Sequence, residues 1–283
     1  MNGLRTLLFM PGNNPGMLIS GDVLGADAVI FDLEDAVALT EKDAARHLVG
    51  EALRTLERRH SLVAVRINPL DSPFWQADLD VILPAGPDAL IVPKAVPAVL
   101  RRLLDYCRDN ALTVPPVWPL LETPAAIVDV AGFFEPACGV AALLLGGEDY
   151  AAALGVTRTA DSLELQYARG ALVTHAKAHG CPAVDTPFTD IDDRDGLERQ
   201  ARLAKALGFD GMLAIHPAQV PVIAAVFRPS AAEIAWAEAV LQAAEDAAAA
   251  GLGVFSHNGK MVDRPILLRA EAIRRQAGGK RHA

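Results

Sequence analysis

The chain has 283 residues, 52% hydrophobic and 22% charged, enough for a large α/β core and with no compositional sign of disorder. Its formal net charge of -9 argues against non-specific nucleic-acid binding, which needs a basic face. Cys107, Cys138 and Cys181 form no C-x-x-C pair, the N-terminus has no long apolar run, and residues 140–145 are too short to span a bilayer, so a cytoplasmic protein with free thiols and no membrane partner is expected.

Strand-like and helix-like segments alternate along the chain. Residues 4–10 read as a strand stopped by Pro11-Gly12, followed by a helix over 15–24 and a strand over 28–33. Thr40 reads as the N-cap of a helix over 41–58, with Asp43 in a capping-box position. Next come a strand over 62–67, a helix over 75–83, a strand over 89–92 and a helix over 96–109. A strand over 116–121, a helix over 124–134 and a strand over 141–145 follow. A short helix starts near Tyr150 and a longer one covers 161–179. The strand 181–184, the helix 193–207 and the strand 211–215 complete the alternation.

Eight strands separated by helices are the pattern of parallel pairing through crossovers. Their count and the chain length predict an α/β fold, a (β/α)8 TIM barrel over residues 1–228. A doubly wound sheet is the alternative, but no G-x-G-x-x-G opens a first βα unit. Residues 229–283 exceed what a minimal barrel needs. They predict a helix over 231–250, a loop over 254–263 and a last helix over 264–276. This is a C-terminal helical extension and lid, expected as part of the same structural unit.

Seven of the apolar runs end in a charged residue or a histidine: at Asp32, Arg66, Lys94, Glu122, Glu148-Asp149, Asp185 and His216. A charge in the middle of a doubly covered strand pays a large desolvation cost, whereas at the C-terminal end it can enter a shared cleft. Glu122 and Asp149 follow successive strands, one βα unit apart. Two carboxylates without thiolate or imidazole suit a hard cation such as Mg²⁺; pairing with Arg66 or Lys94 is the alternative. The planar fork of Arg66 suits a substrate carboxylate, or structural pairing with Glu34 or Asp35. Lys94 reads as a charge partner for Asp32 or Glu34 rather than a Schiff-base lysine. Gly146 and Gly147 let the backbone approach a ligand, and a helix starting there would aim N–H groups at an anion; a tight turn uses the same residues. His216 reads as a supporting group rather than a general base. Neither H-E-x-x-H nor G-x-S-x-G occurs.

These residues, in this order, resemble the citrate lyase beta-subunit family, which groups with malyl- and citramalyl-CoA lyases. The matching stretches are 5–12 (RTLLFMPG), 31–37 (FDLEDAV), 65–68 (VRIN), 92–94 (VPK), 121–124 (LETP), 147–150 (GEDY), 214–217 (AIHP) and 259–265 (GKMVDRP). Thr6 stands where the family often has Ser. The resemblance implies Mg²⁺ held by Glu122 and Asp149, an oxo acid gripped by Arg66, and substrate contacts from Gly147, Glu148 and Asp149. Read from the residues themselves, Asp32, Glu34, Asp35, Lys94 and His216 are supporting residues around them. The resemblance also implies a catalytic Asp263 on a lid reaching a neighbouring subunit's site in a homotrimer or a multiple of one. Read from the residues alone, Asp263 is an exposed loop acid or a helix N-cap. The implied reaction cleaves a citryl-type 3-hydroxyacyl thioester, carried on CoA or an acyl-carrier protein, into an oxo acid (oxaloacetate favoured) and an acetyl thioester. Malyl-CoA or citramalyl-CoA cleavage, a malate-synthase-like condensation, an aldolase acting on free acids, and a non-catalytic oxo-acid-binding subunit are the alternatives.

Overall fold

Eight parallel strands close into a barrel in which each strand pairs with its neighbours in sequence and β8 returns to β1. The strands are β1 (Thr6–Pro11), β2 (Ala28–Asp32), β3 (Leu62–Arg66), β4 (Ala89–Val92), β5 (Val117–Leu121), β6 (Leu143–Leu145), β7 (Ala183–Asp185) and β8 (Gly211–Ala214). The (β/α)8 TIM barrel expected from the alternation is the fold of this chain. The computed structural model describes residues 3–57, 60–135, 139–249, 255–257 and 260–278, so Cys138 lies outside the described residues. Cys107 and Cys181 are free and buried.

Two apolar layers alternate along the strands. Leu7, Ile30, Ala64, Ile91, Trp118, Leu120, Leu144, Val184 and Leu213 form one cluster, the filling of the barrel. Leu8, Val29, Phe31, Val65, Leu90, Leu121, Leu145 and Met212 belong to another cluster, with the helix residues Val49, Leu79, Leu100, Leu172 and Ile223. Successive side chains on a strand point to opposite faces, so two residues beyond an interior position the chain again points inward. The small residues Ala64, Ala89 and Ala142 share the interior with Trp118, the packing of large against small that fills such a barrel.

The helices are α1 (Pro15–Ser20), α2 (Lys42–Thr55), α3 (Trp75–Ile82), α4 (Pro97–Asp109), α5 (Pro124–Val128), α6 (Gly147–Ala153), α7 (Gln166–Ala178), α8 (Arg194–Leu207) and α9 (Gln219–Phe227). Several end earlier or start later than their sequence patterns. The helix expected over 124–134 breaks at Asp129, whose carboxylate caps Gly132 N–H and starts a separate 3-10 turn, Val130–Phe134. Thr40 is not the cap of α2. It lies in a 3-10 turn, Leu39–Glu41, and Asp43 pairs with Arg46 instead of reaching back to a cap. Helix α9 has no counterpart in the sequence pattern, because its nine residues are too uniformly apolar to show a helical stripe and include Pro221.

Contacts divide the chain into two units, residues 3–227 and residues 228 onward, where one structural unit was expected. In the second unit, α10 (Ala231–Ala249) and α11 (Arg264–Gly278) bury Ala237, Val240, Ala270 and Ile273 together. The segment read as a loop holds β9 (Phe255–His257) and β10 (Lys260–Val262), an antiparallel pair. Gln219–Ala249 is long and apolar enough to cross a membrane by composition, but residues 228–230 break it into α9 and α10.

Barrel closure depends on Gly211. A Cβ there would collide with the Leu4 carbonyl oxygen and lie 2.7 Å from Arg5 Cα, where Met212 N–H donates to Arg5 O at 3.0 Å. Backbone cannot yield as a side-chain tip can. Gly211→Ala is expected to cost about 3 kcal/mol, read as a lower urea midpoint at unchanged slope.

Candidate functional site

The inward positions just beyond the barrel filling converge on one cavity of about 400 Å³ at the C-terminal ends of the strands. Ile30 leads to Asp32, Ala64 to Arg66, Leu120 to Glu122, Leu144 to Gly146, Val184 to Thr186 and Leu213 to Ile215, each two residues on. All of these later residues line the cavity, with Phe9, Pro11, Asp35, Gly147, Glu148 and Asp149.

Asp32 and Arg66 are partners in the register of β2 and β3, so their side chains leave adjacent strands side by side. Arg66 donates from Nε to Asp32 Oδ1 at 2.7 Å and from Nη2 to Oδ2 at 2.6 Å. Its Nη1 lies 2.9 Å from Glu34 Oε2, without hydrogen-bond alignment, and 3.5 Å from Asp35 Oδ2. The ring of Phe9 lies beneath, 4.7 Å from the guanidinium carbon. Burial opposes the Arg66 charge, but Asp32, Glu34 and Asp35 outweigh it and raise the pKa. Asp32 is thus the strongest partner of Arg66, ahead of the expected Glu34 and Asp35.

Glu122 follows β5 directly and is 3% exposed. Its Oε1 accepts the Lys94 backbone N–H at 2.5 Å. Gly146 makes room for the carboxylate: a Cβ there would lie 2.6 Å from Glu122 Oε2. Burial, Glu34 and Asp149 together push the Glu122 carboxyl up to about 8 against the pull of the Lys94 N–H. Burial likewise raises Glu34 to about 7, with Arg66 opposing it. Asp149 is exposed and sits in the first turn of α6 rather than at a strand end.

Other expected residues have different roles. The Lys94 side chain is exposed and makes no ion pair within 4 Å among the described residues; its charge acts on Glu34 through space and its N–H holds Glu122. Inward Ile91 and Leu213 put Lys94 and His216 out of phase with the interior. His216 is exposed, and its Nδ1 accepts Ala218 N–H within its own turn. The Gly147 N–H, expected to face an anion, donates to Thr186 Oγ1 at 2.9 Å. Glu148 pairs with Arg158 at 2.6 Å. In the second unit, Asp263 is exposed and its Oδ1 accepts Ile266 N–H at 3.3 Å, the N-cap position of α11.

Sequence reasoning missed residues that hold the site from outside. Buried Lys42 donates from Nζ to Leu33 O (2.7 Å) and Glu34 O (2.5 Å), fixing the turn after β2. Arg46 pairs with Asp78, which accepts from Asn68, two residues past Arg66. Only the helical stripe that buries Lys42 and Arg46 could have signalled them.

Among the described residues no three His, Cys, Asp or Glu side chains converge as a metal cluster. Glu122 and Asp149 are a pair of oxygen donors with room beside them. A buried carboxyl pushed up by desolvation and by neighbouring acids is the group that a cation would restore to its charged form. The residues therefore fit Mg²⁺, which takes one or two protein carboxylates and leaves positions for water or substrate.

The model of the HpcH/HpaI aldolase/citrate lyase family matches residues 5–217. The citrate lyase subunit beta of Leuconostoc mesenteroides subsp. cremoris is 38% identical over 280 residues, 96% of this chain and 93% of that protein. A (3S)-malyl-CoA thioesterase of Cereibacter sphaeroides is 36% identical over 278 residues, 95% of each chain. The crystal structure of CitE from Mycobacterium tuberculosis with magnesium, acetoacetate and coenzyme A superposes with a TM-score of 0.82 at 33% identity, covering 98% of this chain and 99% of that one.

The raised carboxyls set a pH dependence. Glu122 and Glu34 bind protons more tightly in the folded chain than at the unfolded value of 4.5. Their contribution to stability is fully present below that value and is lost as pH rises through about 7 and 8. Metal-free protein is expected to melt at progressively lower temperature across this window, and Glu122→Gln to flatten the loss. Thermal unfolding followed against pH checks both.

Proposed function

The chain belongs to the HpcH/HpaI aldolase/citrate lyase family, and from this we propose that it is a Mg²⁺-dependent carbon–carbon lyase resembling citrate lyase subunit beta. Its substrate is a citryl-type 3-hydroxyacyl thioester, cleaved to an oxo acid, oxaloacetate favoured, and an acetyl thioester. The observation that carries this reading is buried Glu122 with its raised pKa, facing the same cavity as Asp149 and Arg66. Support comes also from the relative solved with magnesium, acetoacetate and coenzyme A.

Glu122 and Asp149 would hold Mg²⁺, which when bound polarises the hydroxyl and carboxylate oxygens of the half that becomes the oxo acid. Arg66, fixed by Asp32 along Nε and Nη2, turns its charge toward the substrate carboxylate and offsets the negative charge that develops there. Asp32 and Phe9 keep the guanidinium plane from swinging as substrate arrives. Leu120, Leu213 and Ile215 give the cavity an apolar wall that limits water near the enolate. In the cleavage the hydroxyl gives its proton to solvent at the open mouth of the cavity, from which Asp263 is reprotonated after each turnover; the hydroxyl oxygen becomes the oxo-acid carbonyl, and the C–C bond breaks. The bond's electron pair passes to the acetyl thioester as an enolate. Asp263, contributed by a neighbouring copy in a homotrimer or a multiple of one, gives the enolate carbon its proton. The thioester is carried on CoA or an acyl-carrier protein. The malyl-CoA thioesterase relative favours a second reading, in which water hydrolyses the thioester of a hydroxyacyl substrate to the free acid and the thiol.

Calorimetric titration of oxaloacetate, pyruvate and glyoxylate, with and without Mg²⁺, tests the reading. One acid is expected to bind tightly and only with Mg²⁺; no binding of any of them under either condition would falsify it. Asp149→Ala is expected to lose Mg²⁺-dependent turnover while keeping the wild-type melting temperature in the metal-free state. Steady-state kinetics separates the other two groups. Arg66→Lys should lower kcat/KM by roughly 10²-fold because lysine lacks the fork. Asp263→Asn should lower kcat and leave KM near the wild-type value.

A further inference from the structure

Beside the cavity, the segment between α6 and α7 carries a polar network that no motif announced. Ser162 is buried with a left-handed backbone (φ 51), unusual for a residue with a side chain. Its Oγ donates to Gln200 Oε1 at 3.2 Å, and Gln200 Nε2 donates to Ala160 O at 2.7 Å. Gln200 Oε1 also accepts from Arg169 Nη2 at 3.2 Å, and Arg169 is paired inside the fold with Asp185. This anchored loop presents Arg158, whose three nitrogens are all engaged. Nε donates to Glu164 Oε1 at 2.9 Å, Nη2 to Ser162 Oγ at 3.4 Å, and Nη1 to Glu148 Oε1 at 2.6 Å.

Glu148 needs holding. It precedes Asp149 in the first turn of α6 and lines the same cavity as Glu122 and Asp149. Its side chain is 47% exposed, so packing does not fix it, whereas Arg158 is only 18% exposed and is fixed. Arg158 Nη1 lies against Gly147, 3.0 Å from where a Cβ would stand, so the guanidinium reaches the cavity wall. A third carboxylate free to turn beside two others would take a position on a shared cation. Each position so taken is one fewer for substrate oxygens.

We propose that Arg158 is a positioning residue that withholds the Glu148 carboxylate from the cation site, keeping coordination positions open for the oxo acid. This rests on the reading that Glu122 and Asp149 hold the cation. The pair is local and charge-assisted, and it acts through Glu148 without touching substrate.

The test is Arg158→Met in the full chain, with Mg²⁺ titrated calorimetrically and oxaloacetate and pyruvate then titrated at saturating Mg²⁺. Mg²⁺ is expected to bind about tenfold tighter, because a third carboxylate joins, while the bound acid weakens by a similar factor. Glu148→Gln combined with Arg158→Met should return Mg²⁺ affinity to the wild-type value or below. A role as ordinary scaffold moves the first reading the other way, lowering metal affinity by about 10–100-fold. That outcome, or unchanged affinity, overturns the proposal. If Arg158→Met does not fold, Arg158→Lys, which keeps the charge and loses the three-way fork, should shift both affinities in the same directions by less. A wild-type chain that takes no Mg²⁺ overturns the cation reading and the proposal together. A wild-type chain that takes it beside an unchanged variant overturns the proposal alone.

Discussion

More acid than base is buried at the C-terminal mouth of this barrel, and the surrounding structure answers that imbalance. Asp32, Glu34 and Glu122 lie out of water around Arg66, while the other buried cation beside them, Lys42, donates to backbone carbonyls. The fork of Arg66 satisfies Asp32 and leaves the other two carboxyls short of positive charge. Glu34 and Glu122 are accordingly pushed up to about 7 and about 8. Water would solve the problem elsewhere on the surface. Here the barrel filling below and the apolar wall beside withhold that water, and in the function proposed above a bound cation would stabilise a charged Glu122.

Such a site survives only if its loops are held in place. Lys42 clasps the turn after β2 by two carbonyls, and the Arg46–Asp78–Asn68 chain ties the segment after β3. On the opposite side, Arg169 and Asp185 form an ion pair almost wholly out of water, and the network reaches the rim through Gln200 and Ser162. Buried pairs of this kind are poor sources of net stability after desolvation. Their use in this protein is geometric. They fix where Arg66 and α6 stand, to the accuracy that binding a small, doubly charged ion and a small acid demands.

Much of the site is legible in the amino-acid sequence, and the reason is the period of a strand. Asp32, Arg66 and Glu122 end apolar runs and lie two residues beyond interior side chains, so they enter the cavity together. The same count, carried one step further, sets aside Lys94 and His216. Each ends an apolar run, yet each falls one residue out of phase, and neither lines the cavity. Asp149 reaches the site by another route, through the first turn of α6, which strand parity does not describe. Arg158 carries no signal, because the segment that presents it has neither a strand nor a helical period.

The sequence by itself determined the barrel, the end of it that holds charge, and the acids and the arginine found there. Burying a charge within a strand is so costly that its place along the chain nearly dictates its place in the fold. It did not determine which charges pair. Asp32 takes the fork of Arg66 because the register of β2 and β3 sets them side by side, while Glu34 and Asp35 reach only the remaining edge. Register, loop closure and the meeting of side chains from distant helices depend on contacts between residues far apart in sequence. Local pattern carries no record of those contacts, and only the tertiary structure decides them.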